Sequence, residues 1–174
     1  MTDDVKREMV ALLPRLRRFA YSLTGSIEEA DDVVQTACSK ALSRLDQYQL
    51  GTRLDSWMFR IIQTTWLDQV RSAPARRTVV DYDVLDKAVS LDSVEDRVGA
   101  RLALEKVQTA MQNLPEQQRV LLTLVIVEGY SYQEAAESLG IPTGTVMSRL
   151  SRARRRLADA LEERPSGEGK GSEK

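Results

Sequence analysis

Apolar residues recur three and four positions apart along most of this chain, with polar residues between them. That spacing is helical. Val5, Met9, Leu12, Leu13, Leu16, Phe19 and Leu23 predict a first helix, with Pro14 inside it as a kink or restart. Ser26 followed by Glu29 is a capping-box pattern, and it opens a second helix on Ile27, Ala30, Val34, Ala37, Ala41 and Leu45. After a loop from Asp46 to Arg53, the positions Leu54, Trp57, Met58, Ile61, Ile62, Trp66 and Val70 predict a third helix to about Arg71. The pattern then fails. Pro74, Arg76 and Arg77, followed by Asp81, Asp83, Asp86 and Asp92, read as an acidic flexible linker over 73–94, with room for a short helix. Val98, Leu102, Val107 and Met111 resume the period. Leu114-Pro115-Glu116 restarts a helix, proline suiting a first position, on Leu121, Leu124 and Val125, and Gly129 ends it.

The most informative segment is SYQEAAESLGIPTGTVMSRLSRARRRL, Ser131 to Leu157. Ser131 and Glu134 form a second capping box. Ala135, Ala136 and Leu139 give a short helix a small inner face, Gly140 supplies the positive φ that stops it, and Ile141 pins the turn. A second helix from Thr143 puts Val146, Leu150, Ala153, Leu157 and Leu161 on one stripe. Its other side carries Thr145, Ser148, Arg149, Arg152, Arg155 and Arg156. Between Pro142 and Ala158 stand five arginines and no acid. A solvated helix normally mixes its charges in i,i+4 pairs, whereas one-signed charge on a helix-turn-helix points to duplex DNA.

The sequence therefore predicts an all-α chain: a three-helix unit over 5–72, the linker 73–94, a four-helix unit with the helix-turn-helix over 95–162, and a disordered tail over 163–174. Net charge over the 174 residues is only −1, so the basic patch is local, and weak binding to DNA by the chain alone hints at a larger partner. One cysteine, Cys38, excludes an intrachain disulfide and suits a reducing cytoplasm. Histidine is absent, which removes the commonest general base and metal ligand. With Cys38 on an apolar stripe, no nucleophile–base pair or metal cluster can be assembled, so neither enzymatic activity nor a cofactor is expected. The sequence shows no signal peptide and no apolar run of membrane-spanning length, which predicts a cytoplasmic protein without membrane insertion.

Two blocks together resemble one family. EEADDVVQTACSKAL and LDSWMFRIIQTTWLDQVRS resemble successive helices of the amino-terminal domain of bacterial RNA polymerase sigma factors. LPEQQRVLLTLVIVEGYSYQEAAESLGIPTGTVMSRLSRARRRL resembles their carboxy-terminal domain. Two such domains and little else describe the extracytoplasmic-function class. The resemblance implies docking on the polymerase core, through the β′ coiled coil and the β flap, with Asp31, Asp32, Gln35, Thr36 and Ser39 as the matching β′ surface. Unaided, that row reads first as a normal solvated helix face. The resemblance also implies capture of an unpaired base of the downstream (−10) promoter element near the Asp46–Arg53 loop. Candidates there are Tyr48, Gln49, Arg53, Ser56, Phe59 and Arg60, with Arg71, Arg76 and Arg77 on backbone phosphate or simply solvated. Phe59 is chosen because it lies off the apolar stripe, whereas Trp57 and Trp66 lie on it and read as core.

For the upstream (−35) element, the resemblance implies that Thr143, Thr145, Ser148, Arg149 and Arg152 face base edges, with Arg154, Arg155 and Arg156 nearer phosphate. Four arginines on phosphates give an expected salt slope of about −3 to −4. Two positions depart from the family pattern: Met147 replaces a common lysine or arginine, and Pro142 replaces the usual serine or threonine cap, so that Thr143 is expected to cap instead. The family also implies an anti-sigma factor acting in trans. Two other readings compete: a sigma-like decoy that engages an anti-sigma factor but not polymerase, and a conventional helix-turn-helix regulator that dimerises. The intact arginine run argues against the first, and the absence of a second apolar seam against the other.

Overall fold

The computed structural model describes residues 2–72 and 94–162, and these are helical almost throughout. The expected linker before Val94, with Arg76 and Arg77, and the expected tail lie outside the described residues.

The amino-terminal unit packs α1 (Thr2–Thr24), α2 (Ile27–Leu42) and α3 (Leu54–Ser72) against one another. Val5, Met9, Leu16, Phe19 and Leu23 are buried as the spacing predicts, and Leu12 and Leu13 lie partly buried beside them. Pro14 neither breaks nor restarts α1, which is continuous. Both Pro14 and Val10, its would-be hydrogen-bond acceptor, are exposed, so the missing N–H falls on the solvent side. Ser26 caps α2 by accepting from the Glu29 amide at 3.4 Å. Val33 joins the expected stripe of α2 in the core.

In α3 the expected stripe is rotated. Met58, Ile62 and Trp66 are buried, but Trp57 and Ile61 are half-buried and Val70 is exposed. Phe59, expected to face outward, is 1 % exposed. Its ring stacks on Phe19 at 4.4 Å and tilts against Tyr130 at 6.1 Å. The reason is tertiary: α3 is covered on two sides, by α1 and by the carboxy-terminal unit.

That second unit comprises α4 (Val94–Gln112), α5 (Glu116–Leu122), α6 (Tyr132–Leu139) and α7 (Thr143–Glu162). Here α4 departs from its apolar pattern, because Val98, Leu102 and Val107 are exposed while, among its described side chains, Gln108, Ala110 and Met111 are buried. Pro115 stands one residue before α5, at its cap. A single π turn, Thr123–Val127, follows α5, and Gly129 (φ +70°) ends it. Val120, Leu121, Leu122, Leu124, Ala135, Ala136, Val146, Leu150 and Ala153 fill the centre of this unit.

The two small helical units pack against each other. They share one continuous apolar core. At its edge Arg119 is buried and donates to the carbonyls of Leu23 (2.6 Å), Gln112 and Leu114 (3.2 Å) and to Gln112 Oε1 (2.6 Å). One guanidinium thus satisfies carbonyls at the ends of α1 and α4, while lying 5.2 Å over the Trp66 ring. Burial pushes Arg119 down to about 10, still protonated at neutral pH. Gly25 (φ +74°) sits in the turn before α2, and a Cβ there would stand 2.9 Å from the Gln112 side chain. The left-handed backbone conformation there favours glycine.

Candidate nucleic-acid interface

The helix-turn-helix is built as its sequence dictates. Ser131 Oγ accepts from the Glu134 amide at 3.1 Å, and Glu134 Oε2 accepts from the Ser131 amide at 2.8 Å, which completes the capping box. Gly140 takes up the left-handed conformation, φ 64° and ψ 37°, and the Ile141 amide bonds back to the Ala136 carbonyl at 3.1 Å. The cap of α7 differs from expectation. The Pro142 carbonyl accepts the Thr145 and Val146 amides, so Pro142 holds the cap position and Thr143 is the first helical residue. Proline fits because the residue there needs no amide donor.

Val146, Leu150 and Ala153 anchor α7 to the core, with Leu157 partly buried. Leu161, expected on that stripe, is exposed. The opposite side presents Ser148, Arg152 and Arg155 to solvent, flanked by exposed Thr143, Met147, Arg154 and Arg156 and by half-buried Thr145 and Arg149. Arg152 Nε folds back on the Ser148 carbonyl (3.2 Å), and Arg154 reaches the Tyr132 hydroxyl (3.1 Å). Among the described residues, none of the five arginines of this segment pairs with a carboxylate. Within the described residues their positive charge is therefore not neutralised by a direct ion pair.

The candidates around the 46–53 loop have different fates. Gln49 is exposed, and its carbonyl closes the turn by accepting from the Thr52 amide and hydroxyl. Tyr48 is half-buried, donates to the Thr52 carbonyl at 2.6 Å and tilts against Trp57 at 5.3 Å. Arg60 and Arg71 are exposed. Arg53 and Ser56 instead meet the carboxy-terminal unit. Arg53 bonds Glu134 at 2.6 Å and Asp55 at 2.9 Å and lies 4.7 Å over the Tyr130 ring. Ser56 Oγ shares a 2.6 Å hydrogen bond with the Tyr130 hydroxyl. Phe59, expected to contact a base, presents no ring to solvent and is a core residue instead.

Sequence reasoning missed the groups that complete this junction. Arg15 bridges Asp55 (2.6 Å) and Glu128 (2.5 Å), whose side chain is wholly buried. Desolvation pushes the Asp55 carboxyl up, but hydrogen bonds from Arg53, the Ser56 amide and Arg15 outweigh it and hold Asp55 below its ordinary value. Arg15 has no periodic signature, since a charged residue beside an apolar stripe reads as solvated.

On α2, Asp32, Gln35, Thr36 and Ser39 form one exposed arc. Asp31 is half-buried and paired with Arg17 at 2.8 Å. Cys38 is half-buried. No group of acids, cysteines or histidines among the described residues is placed to hold a metal ion, and no helix there is long and apolar enough to cross a membrane.

A helix-turn-helix with an exposed arginine face, packed against a three-helix unit with an exposed acid-and-amide arc, is the two-part architecture of a sigma factor. The sigma-70 region 2 family model matches residues 9–77, and the sigma-70 region 4 model matches residues 104–157. The chain belongs to the extracytoplasmic-function RNA polymerase sigma factors, a family of transcription initiation factors. It is 37 % identical to the sigma factor EcfG of Rhodopseudomonas palustris over 92 % of this chain and 87 % of that protein. It is 35 % identical to SigM of Mycobacterium tuberculosis over 84 % and 71 %. Among solved structures, RpoE of Bartonella quintana, in complex with the anti-sigma factor NepR, is similar with a TM-score of 0.73 and 30 % identity, over 91 % of this chain and 97 % of that one.

Proposed function

We propose that this protein binds the core RNA polymerase in the cytoplasm and directs it to promoters with two elements, acting by binding rather than by catalysis. The exposed arginine face of α7 carries the reading. In it, residues 5–72 serve the core and the −10 element, and residues 95–162 serve the −35 element. Thr143, Thr145, Ser148, Arg149 and Arg152 lie in the amino-terminal half of α7, where such helices reach base edges, while Arg155 and Arg156 neutralise phosphate. Tyr48, Gln49, Arg53, Ser56, Arg60 and Arg71 remain the candidates for the opened −10 strand. The exposed arc Asp32, Gln35, Thr36 and Ser39, with Asp31 at its edge, docks on the β′ coiled coil. Likeness to a sigma factor solved with an anti-sigma factor supports control in trans by such a partner.

The test is run-off transcription with bacterial core polymerase on a pool of promoter fragments. Discrete new transcripts support the reading; neither transcripts nor co-elution with core moves the assignment to the decoy. Once a promoter is in hand, Arg149→Ala is expected to weaken binding to duplex carrying the upstream element by about 1–3 kcal/mol. Unchanged affinity at several salt concentrations would remove Arg149 from the groove. Asp32→Arg is expected to weaken co-elution with core at least about tenfold while circular dichroism stays unchanged. Wild-type core affinity would take α2 off the docking surface.

A further inference from the structure

The side of α7 that faces away from the core is not uniform. Thr145, Arg149, Arg152 and Arg156 follow one another at helical spacing along one edge, with Ser148 and Arg155 at the crest. The other edge runs through Thr143, Met147, Ser151 and Arg154, all exposed, with exposed Gly144 beside them. Its one charge is turned aside, because Arg154 donates to the Tyr132 hydroxyl at 3.1 Å and lies 6.0 Å from the centre of that ring. The amino-terminal half of this edge therefore carries no charge, and in its middle Met147 is 55 % exposed.

Packing inside the chain does not account for that patch. Met147 stands outside the apolar core. A Cβ on Gly144 would meet nothing within 4 Å, so no neighbour requires glycine there, although glycine weakens a helix. Together they place bare backbone beside a flexible, polarisable thioether, in the half of α7 that reaches base edges. Among the groups that base pairs expose in the major groove, only the thymine 5-methyl is apolar. We propose that Met147 is a specificity-determining residue that reads a thymine methyl of the upstream element, with Gly144 admitting the base edge to it. The inference rests on the proposed placement of α7 in the major groove. The two edges then divide the work: the arginines supply hydrogen bonds and neutralise phosphate, and Met147 supplies apolar contact. Preference at that A·T pair comes from burial of a methyl group, so it holds as salt rises while overall affinity falls.

The test deletes each side of the contact separately. The full chain, at low salt, selects from duplexes randomised over about ten base pairs, one helical turn. In the selected duplex each thymine is replaced in turn by deoxyuridine, which removes the methyl and leaves base pairing intact. Affinities of the wild type, Met147→Ala and Met147→Leu are read by fluorescence anisotropy on the thymine and uracil duplexes, which closes a double-mutant cycle. Met147 is exposed and alanine suits a helix, so the fold is retained, and circular dichroism checks it. Leucine keeps an apolar side chain of similar volume. Arg149→Ala is measured alongside to report on the groove placement itself.

The expected result is one thymine whose replacement by deoxyuridine weakens the wild type about three- to fourfold, as for one methyl group returned to water. Met147→Ala should lose a similar factor on the thymine duplex and show no further loss on the uracil one. Met147→Leu should recover the difference between the two duplexes, and the ratio should hold at several salt concentrations. A uracil penalty that persists in Met147→Ala would assign the methyl to another side chain and overturn the proposal. A selected duplex that needs Arg149 yet is indifferent to every uracil overturns the thymine reading alone. If no sequence is selected, or the selected affinity is untouched by Arg149→Ala, the groove placement of α7 has failed and the role of Met147 falls with it.

Discussion

Arg119→Ala is expected to lower the free energy of unfolding by about 3–5 kcal/mol. Arg119 is buried and donates to carbonyls of Leu23, Gln112 and Leu114. Each carbonyl stranded without a donor costs roughly 1–3 kcal/mol, and alanine also leaves a void beneath Trp66. Water entering that void offsets part of the loss, hence the lower half of the possible sum. Lysine restores the charge but not the planar fork that reaches several carbonyls at once, so Arg119→Lys should fall between the two. Urea denaturation followed by tryptophan fluorescence checks this directly. A loss under about 1 kcal/mol for the alanine variant would mean that the ends of α1 and α4 find other donors, and that Arg119 is dispensable to the union of the two units.

Phe59→Ala should cost a comparable amount, about 3–5 kcal/mol, because a fully buried phenylalanine is deleted from between Phe19 and Tyr130. Part of this is the stacked geometry with Phe19, worth roughly 0.5–1.5 kcal/mol beyond area. The same variant separates two roles. A core residue loses stability, whereas a base-stacking residue loses promoter opening with its melting temperature intact. The structure predicts the first outcome. An unchanged melting temperature with impaired opening would return Phe59 to the strand-contacting surface.

Local signals located most elements and the features that shape the helix-turn-helix. The capping box Ser131/Glu134, the left-handed Gly140 and the Val146–Leu150–Ala153 stripe are each written within a few consecutive residues, and each formed. The failures cluster where a second surface intervenes. On α3 the stripe pointed Phe59 outward, because periodicity describes a helix buried on one side, and α3 is buried on two. On α4 the run Val98, Leu102 and Val107 was apolar and periodic yet stays exposed, while Gln108 is buried and bonds the Tyr21 carbonyl. A buried glutamine with a partner across the junction carries no mark in the sequence around it.

The sequence by itself determined which segments are helical, where the turn between α6 and α7 lies, which side of α7 carries its arginines and, through two separated motifs, the family. Those properties depend on contacts within three or four residues, or on the identity of side chains. Only the tertiary structure decided that the two units share one core, that Arg119 closes helix ends in both, and that Arg53 and Ser56 face Glu134 and Tyr130. These depend on pairs 74 to 96 positions apart, such as Ser56 with Tyr130 and Arg119 with Leu23. A charged or hydroxyl side chain costs nothing when solvated and is tolerated inside only with a partner, so its burial follows from what packs against it.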